Sequence, residues 1–459
     1  MSIASELTNL RTNISNAYDA ISTKGGTLPA NKNTANLATA IGSISGGGGS
    51  ADVVNGIIQE FKATSSTIDA NTFVDFVNNV IPGTDTQLST GTSSYQYASA
   101  VLVDANKVFI AHRNSSYLYG VVCTISGTTI TKGTDTSLSF ASYPYEYASA
   151  ALIDTNKVFI AHRNGNYLYG MVCTISGTTI TKGTDTQLST DTSTFQYASA
   201  VLVDTDKIFI AHQGSGNQLY GMVCTISGTT ITAGADTQLS TGSFQYASAV
   251  LVDTNKVFVA HRSTEAHLGG VVCTIDGTTI TAGTDTQLST GSNSYEYASA
   301  VLVDTNKVFI AHRISGHLYG VVCTIDGTTI TAGMDFQLSP AYISVYNSAV
   351  LVDTDKILVA HQGLDNHLYG VVCTISGTTI AAGTDTQLST VAYSGNHVSA
   401  ALIDTNKVFI AHRNGNYLYG MVCDTTDTVS IATKKWAIQG LTKTECTTTT
   451  AGEVWVLNP

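Results

Sequence analysis

The chain has 459 residues, too many for one ordinary domain unless that domain is a large repeat. Only 12% of residues are charged and the formal net charge is −12, with Lys and Arg scattered rather than clustered, which argues against nucleic acid as a partner. No apolar run approaches the ~18 residues of a membrane span, and the start, MSIASELTNLRTNIS, lacks the basic-then-apolar order of a secretory signal.

Residues 1–22 are predicted to form a helix. Ile3, Leu7, Leu10, Ile14, Ala17 and Ile21 alternate spacings of four and three, a heptad seam. An isolated helix of this length is marginal in water, so it is expected to join copies of itself or dock on a larger body. A homo-oligomer follows, with a trimer favoured. Gly25-Gly26 ends the helix. A second short helix follows Pro29, capped by Asn33 or Thr34 and seamed by Leu37, Ile41 and Ile44, and residues 46–52 form a Gly-rich linker.

The run Ile21–Ile44, ISTKGGTLPANKNTANLATAIGSI, resembles a segment common in tail proteins of phages and prophages of Gram-positive bacteria. There a helix leads into a Lys- and Gly-bearing turn that ends in Pro, here Lys24 to Pro29, and then into an Asn-Leu-x-x-x-Ile helix, here from Asn36. The resemblance covers roughly the first 45 residues. It implies a virion-attached end, with residues 1–45 contacting other tail or baseplate proteins. The protein would be made in the bacterial cytoplasm and would act in a phage tail or a phage-derived particle.

Residues 53–77 and 424–459 are similar to two pieces of a small β-barrel of phage structural proteins. The first piece turns at Ile68-Asp69-Ala70-Asn71 and the second at Ala451-Gly452. On that reading residues 78–423 are inserted between them, which close-lying termini make easy. A C-terminal extension over the edge of the intervening domain is the alternative.

Between these segments one unit recurs seven times. Its marker is an Ala-His pair ending at His112, His162, His212, His261, His312, His361 and His412. Each unit reads as four short strands, in the first copy Ala98–Asp104, Lys107–Arg113, Leu118–Ile125 and Thr128–Thr131, the last leading on to Thr136–Ser139. Four strands in every 40–50 residues or so is the pattern of a propeller blade, so the expected fold is an all-β, seven-bladed β-propeller. A parallel β-helix is the structural alternative. The Thr-Asp-Thr-Gln-Leu-Ser element precedes the first unit at 84–89, and no copy follows the last unit. An N-terminal strand is therefore expected to complete the seventh blade and remove the open edge.

The blades differ on one face. The first-to-second and third-to-fourth turns are nearly constant, whereas the second-to-third and fourth-to-first connections vary. Loops carry function when a scaffold holds them. Tyr, Ser, Gly, Asn and His dominate these loops, which suits sugar rings with apolar C–H patches and many hydroxyls. The candidate ligand-binding residues are Tyr117, Tyr167, Gln218, His267, His317, His367 and Tyr417, one per blade. Tyr95, Tyr145, Phe195, Phe244, Tyr295 and Tyr393 neighbour them.

The Ala-His histidines recur at one strand position and are read as structural. A tight hairpin at Asp104–Lys107 would set His112 near Ser99, for a buried His–Ser hydrogen bond in each blade. Arg113, Arg163, Arg262, Arg313 and Arg413 follow the histidines at the mouth of the variable face, where they would pair with acidic residues or meet ligand. Seven of the eight cysteines are one blade position used seven times, expected as reduced buried hydrophobes; Cys446 stands apart. No CxxC, calcium loop or converging histidine set exists, so neither metal nor cofactor is expected. Near-identical repeats leave no unique catalytic pair. The expectation is a non-enzymatic tail fibre or receptor-binding protein whose variable face recognises host cell-surface polysaccharide. A purely structural tail component and a free lectin are the alternatives.

Overall fold

The computed structural model describes residues 17–18, 58–63, 73–77, 79–89, 95–139, 146–189, 197–243, 245–263, 267–289, 295–390, 397–426, 428–431, 440–442 and 452–456. Of the expected N-terminal helices it describes only Ala17 and Tyr18, both helical and buried; the rest of the helices and the linker lie outside the described residues. The chain divides into two compact units, Asn79–Thr425 on one side and Met1–Asn78 with Thr426–Pro459 on the other.

In the smaller unit five strands pair into a closed barrel. Ile58–Ala63 runs parallel to Thr428–Ile431 and antiparallel to Gly452–Val456. Phe73–Val77 lies between Thr428–Ile431 and Gly440–Thr442. Strands from both flanks of the larger unit therefore close one barrel.

The larger unit is a seven-bladed propeller of antiparallel blades. In the first blade the inner strand is Tyr95–Asp104, the second Lys107–Asn114 and the third Tyr117–Ser126. The outer edge is a broken strand. Thr129–Lys132 pairs with one half of the third strand and Thr136–Ser137 with the other. Gly133 makes the step between them. Its N–H donates to Val122 O at 2.9 Å, and a Cβ there would lie 2.6 Å from that oxygen. Between the fifth and sixth blades the connection is itself extended, and one strand runs from Phe336 to Asp353.

The second and third strands are buried on both faces, which is why they read as near-continuous apolar runs. Phe109, Ala111 and Val122 pack against Val158, Ile160, Met171 and Cys173 of the next blade. The last pair of blades closes the circle in the same way, Phe409 and Ala411 packing on Val108, Ile110 and Cys123. All seven blade cysteines are buried and free, and burial pushes their thiols up to about 12.

The ring is closed by residues 79–89. Ile81–Pro82 and Thr86–Gln87 pair with the third strand of the seventh blade, Tyr417–Asp424, and supply its outer edge. The propeller therefore exposes no unpaired outer strand where the chain begins and ends its circuit.

The histidines do not bond Ser99 and its equivalents. Ser99 stands opposite Ala111, one residue before the histidine. Each histidine instead meets the Asp of the outer element: His112 Nε2 lies 2.9 Å from Asp135 Oδ1, and the other six pairs span 2.8 to 3.0 Å. The serines look the other way. Ser99 Oγ accepts the Ala150 N–H of the next blade at 3.0 Å. The same bond recurs at every blade junction and ends with Ala100 N–H donating to Ser399 Oγ. Burial disfavours the Asp285 and Asp385 carboxylates. Hydrogen bonds and charge from His261 and His361, with help from Ser240 and Ser339 of the preceding blade, still hold both below the usual carboxylate range.

Candidate functional site

The antiparallel order sets two ends. Tyr95 at the start of the inner strand stands opposite Asn114 at the end of the second, and Tyr117 opens the third beside them. The second-to-third and fourth-to-first connections therefore share one end of the blade. The constant turns, Asp104–Lys107 and Ser126–Thr129, share the other. The variation seen in the sequence thus lies on one face of the propeller.

Tyr117, Tyr167, Gln218, His267, His317, His367 and Tyr417 occupy equivalent places at or just before the start of the third strand. They are distributed one per blade rather than gathered. Tyr117 is exposed, at 39%, and the others are half-buried. Several are held by side-chain bonds. Gln218 Oε1 accepts from Gln238 at 3.0 Å, and His367 Nδ1 lies 3.2 Å from Asp365. Asp365 also accepts the Tyr369 hydroxyl at 2.7 Å, which raises that phenol to about 12. Tyr145, Phe195, Phe244 and Tyr393 lie outside the described residues, as do the side chains of Tyr95 and Tyr295.

The residues the fold does bring together are two positions further on. Tyr97, Tyr147, Tyr197, Tyr246, Tyr297, Tyr346 and His397, one from each inner strand, form a closed aromatic ring. Neighbouring centroids are 3.9 to 4.6 Å apart and the planes tilt by 42° to 57°. With the Ala or Asn that follows each of the six tyrosines, these residues line a recess of about 170 Å³. The hydroxyls link along the ring, Tyr246 to Tyr297 at 3.1 Å and Tyr297 to Tyr346 at 3.4 Å. Burial, foremost, pushes the Tyr197, Tyr297 and Tyr346 phenols above their ordinary value, so they stay protonated.

A bulge in the inner strand turns these rings inward. The register slips by one residue between Gln96 and Ser99, and Tyr97 sits at φ 57°. Tyr147, Tyr197, Tyr246 and Tyr297 share that left-handed conformation, and His397 lies at φ 123°. For a bulky residue each such position costs about 1–3 kcal/mol and persists only where its surroundings enforce it. The sequence carried a signal for this ring, namely Tyr-Ala-Ser-Ala repeated in five blades, with Tyr346 and His397 at the same place in the other two. These residues end the variable fourth-to-first loops, just before the inner strand expected from Ala98, and nothing in their spacing shows that they converge.

Three of the arginines after the histidines fold back on their own loops. Arg113, Arg163 and Arg413 donate from Nε to the Ser115, Gly165 and Gly415 carbonyls at 2.6 to 2.7 Å. Arg262 donates to Gln245 across the inner strand. Cross-strand register places Arg113 opposite Gln96 and Arg163 opposite Glu146. Among the described residues no three His, Cys, Asp or Glu side chains gather as a metal site.

No protein-family model matches this chain, and no curated protein matches it. Its fold is similar to that of the BP39L lectin from Burkholderia pseudomallei, at 11% identity and a TM-score of 0.56, over 73% of this chain and 98% of the lectin. A protein of unknown function from Dyadobacter fermentans aligns over 76% of this chain and 99% of its own, at 10% identity and a TM-score of 0.49. A six-bladed fucose-recognising lectin from Aleuria aurantia aligns over 66% and 98%, at 14% identity and a TM-score of 0.42. The propeller therefore shares its fold with the Burkholderia lectin.

Proposed function

We propose that this protein is a non-enzymatic carbohydrate-binding propeller, the receptor-binding head of a phage tail fibre or phage-derived particle, and that its variable face engages host cell-surface polysaccharide. The observation that carries the reading is the division of the blades. One end holds near-identical turns, while the other presents varied Ser-, Gly- and Asn-rich loops with an aromatic, His or Gln side chain retained in each blade. Flat aromatic plates and amide or imidazole groups suit sugar hydroxyls and C–H faces. Seven weak sites on one rigid disc would gain avidity on a repeating polymer. The Ile21–Ile44 resemblance supports attachment to a virion through residues 1–45, with location in the particle. A free lectin is the second reading, favoured by the fold shared with the Burkholderia lectin.

The test uses the intact chain on purified Gram-positive cell walls, beside a Tyr117→Ala/Tyr167→Ala/Tyr417→Ala variant. Saturable binding that the variant loses at least tenfold supports the reading. Absence of binding across several walls leaves a purely structural role. Co-purification with phage particles, or its absence, separates the fibre from the free lectin.

A further inference from the structure

We propose that the axial recess inside the aromatic ring accepts an anionic group, a carboxylate or phosphate, carried by the polysaccharide that the same face engages. This rests on the carbohydrate reading and assigns the ligand a charge and the protein a site at the propeller axis.

The argument begins with the orientation of the rings. Their tilts match the angular step between seven equal blades, and their centroids, 3.9 to 4.6 Å apart, are too close for neighbouring rings to meet edge to edge in a wall around the axis. Each plane therefore runs along the axis, like a vane, and turns an edge inward. An aromatic ring is electron-rich on its face and electron-poor at its edge. A cation on the axis would meet edges, since the faces turn toward the neighbouring rings. An electronegative group would meet edges and protonated phenols.

Charge around the mouth points the same way. The chain as a whole is acidic, at −12, yet the blade-seven-to-blade-one side of this recess is basic. Val398 pairs with His412, which sets Arg413 beside His397, and Gln96 pairs with Arg113, which sets Arg113 beside Tyr97. The Arg113 guanidinium carbon is 6.0 Å from the Tyr97 ring centre. His397 is the one imidazole in a ring of phenols. Burial foremost, then Arg413 and Arg113, hold it well below its ordinary value, so it stays neutral and contributes one N–H donor. The seven-fold repeat is thus broken at this point by a donor flanked by two cations. Backbone strain is concentrated at the same ring, and residues held in such conformations cluster at ligand clamps.

The test titrates the intact protein by calorimetry, and by NMR of its imidazole signals, with methyl glucuronide, glycerol phosphate and the neutral methyl glucoside. The variant is Arg113→Gln/Arg413→Gln. Gln already follows the histidine in two blades, as Gln213 and Gln362, so the fold tolerates the change. A thermal melt checks this. The expected result is that one anion binds at least tenfold more tightly than the glucoside, shifts the His397 resonance and loses at least tenfold in the variant. Response to the glucuronide alone identifies a uronic acid; response to glycerol phosphate alone identifies a phosphate-bearing polymer. Equal binding of anions and glucoside, no binding of either anion, or unchanged anion binding in a folded variant overturns the proposal. Failure of the carbohydrate reading itself shows separately, as absence of wall binding by the unmodified protein.

Discussion

Asp85 and His412 meet across 327 residues of chain, with His412 Nε2 2.8 Å from Asp85 Oδ1. Six equivalent pairs join residues 23 or 24 apart within one turn of the repeat, as His112 joins Asp135 and His212 joins Asp236. The seventh uses the same chemistry to clasp the first outer strand onto the last blade. Around it Leu418 N–H donates to Ser89 Oγ at 2.9 Å, and Leu88 N–H to Leu418 O at 2.8 Å.

Asp85→Ala therefore leaves a buried imidazole without its carboxylate and loosens the clasp. A loss of about 1–3 kcal/mol is expected from the unpaired buried group. Asp185→Ala should cost a similar amount without opening the ring. Denaturant unfolding measures both losses, and limited proteolysis at residues 79–89 should accelerate only in Asp85→Ala. Equal protection of that segment in both variants would contradict the clasp.

The inter-blade serines predict a second effect. Ser248→Ala deprives the Ala300 N–H of its acceptor, 2.9 Å away, and should cost about 1 kcal/mol. The His261–Asp285 pair in the same blade should be untouched, because the serine does not bond the histidine. Melting temperature reports the first part. The His261 imidazole resonance reports the second, and a large shift there would count against the arrangement.

His397 makes stability depend on pH in a defined direction. Its folded value lies well below the ordinary 6.5, so the unfolded chain binds more protons in that range. Stability is then fully present above about 6.5 and falls as pH drops below it. The lowered Asp285 and Asp385 carboxylates act with the same sign, but only below the ordinary carboxylate value of 3.8. Melting between pH 7 and pH 5 should thus decline in the unmodified protein and flatten in His397→Tyr, which completes the ring with a seventh phenol. A slope that survives the substitution would assign it elsewhere.

The seven blade thiols, raised to about 12 by burial, should resist alkylation at pH 8 in the folded protein and react in denaturant. Peptide mapping after iodoacetamide checks each position. Rapid native modification of Cys123 or its equivalents would mean that the blades open more readily than their packing allows.

Much of this architecture was legible in one dimension because a repeat protein uses the same local solution seven times. The alternation of Val108 and Ile110 with Phe109 and Ala111, each set facing a different neighbour, is written in every copy. So is the Asp of the outer element, whose extra N-terminal copy at 84–89 predicted the strand that closes the last blade. The His–Ser bond was misjudged by a single residue of register. A hairpin turn sets which residues stand opposite, but not that the outer element, two strands over, would supply an Asp.

The sequence by itself determined the number of blades, the strands within each, the closing strand and the face that varies, since all of these follow from periodicity and from where the copies begin and end. Only the tertiary structure decided what the centre of that face is. Tyr97 and Tyr147 are neighbours solely because two inner strands meet at the axis, and they point there because a bulge holds bulky residues at positive φ. Neither the bulge nor the convergence leaves a spacing in the chain. The identity of His397 was visible as one more residue in a variable loop; its place as the single imidazole in a ring of phenols, between Arg113 and Arg413, arose only when the circle closed.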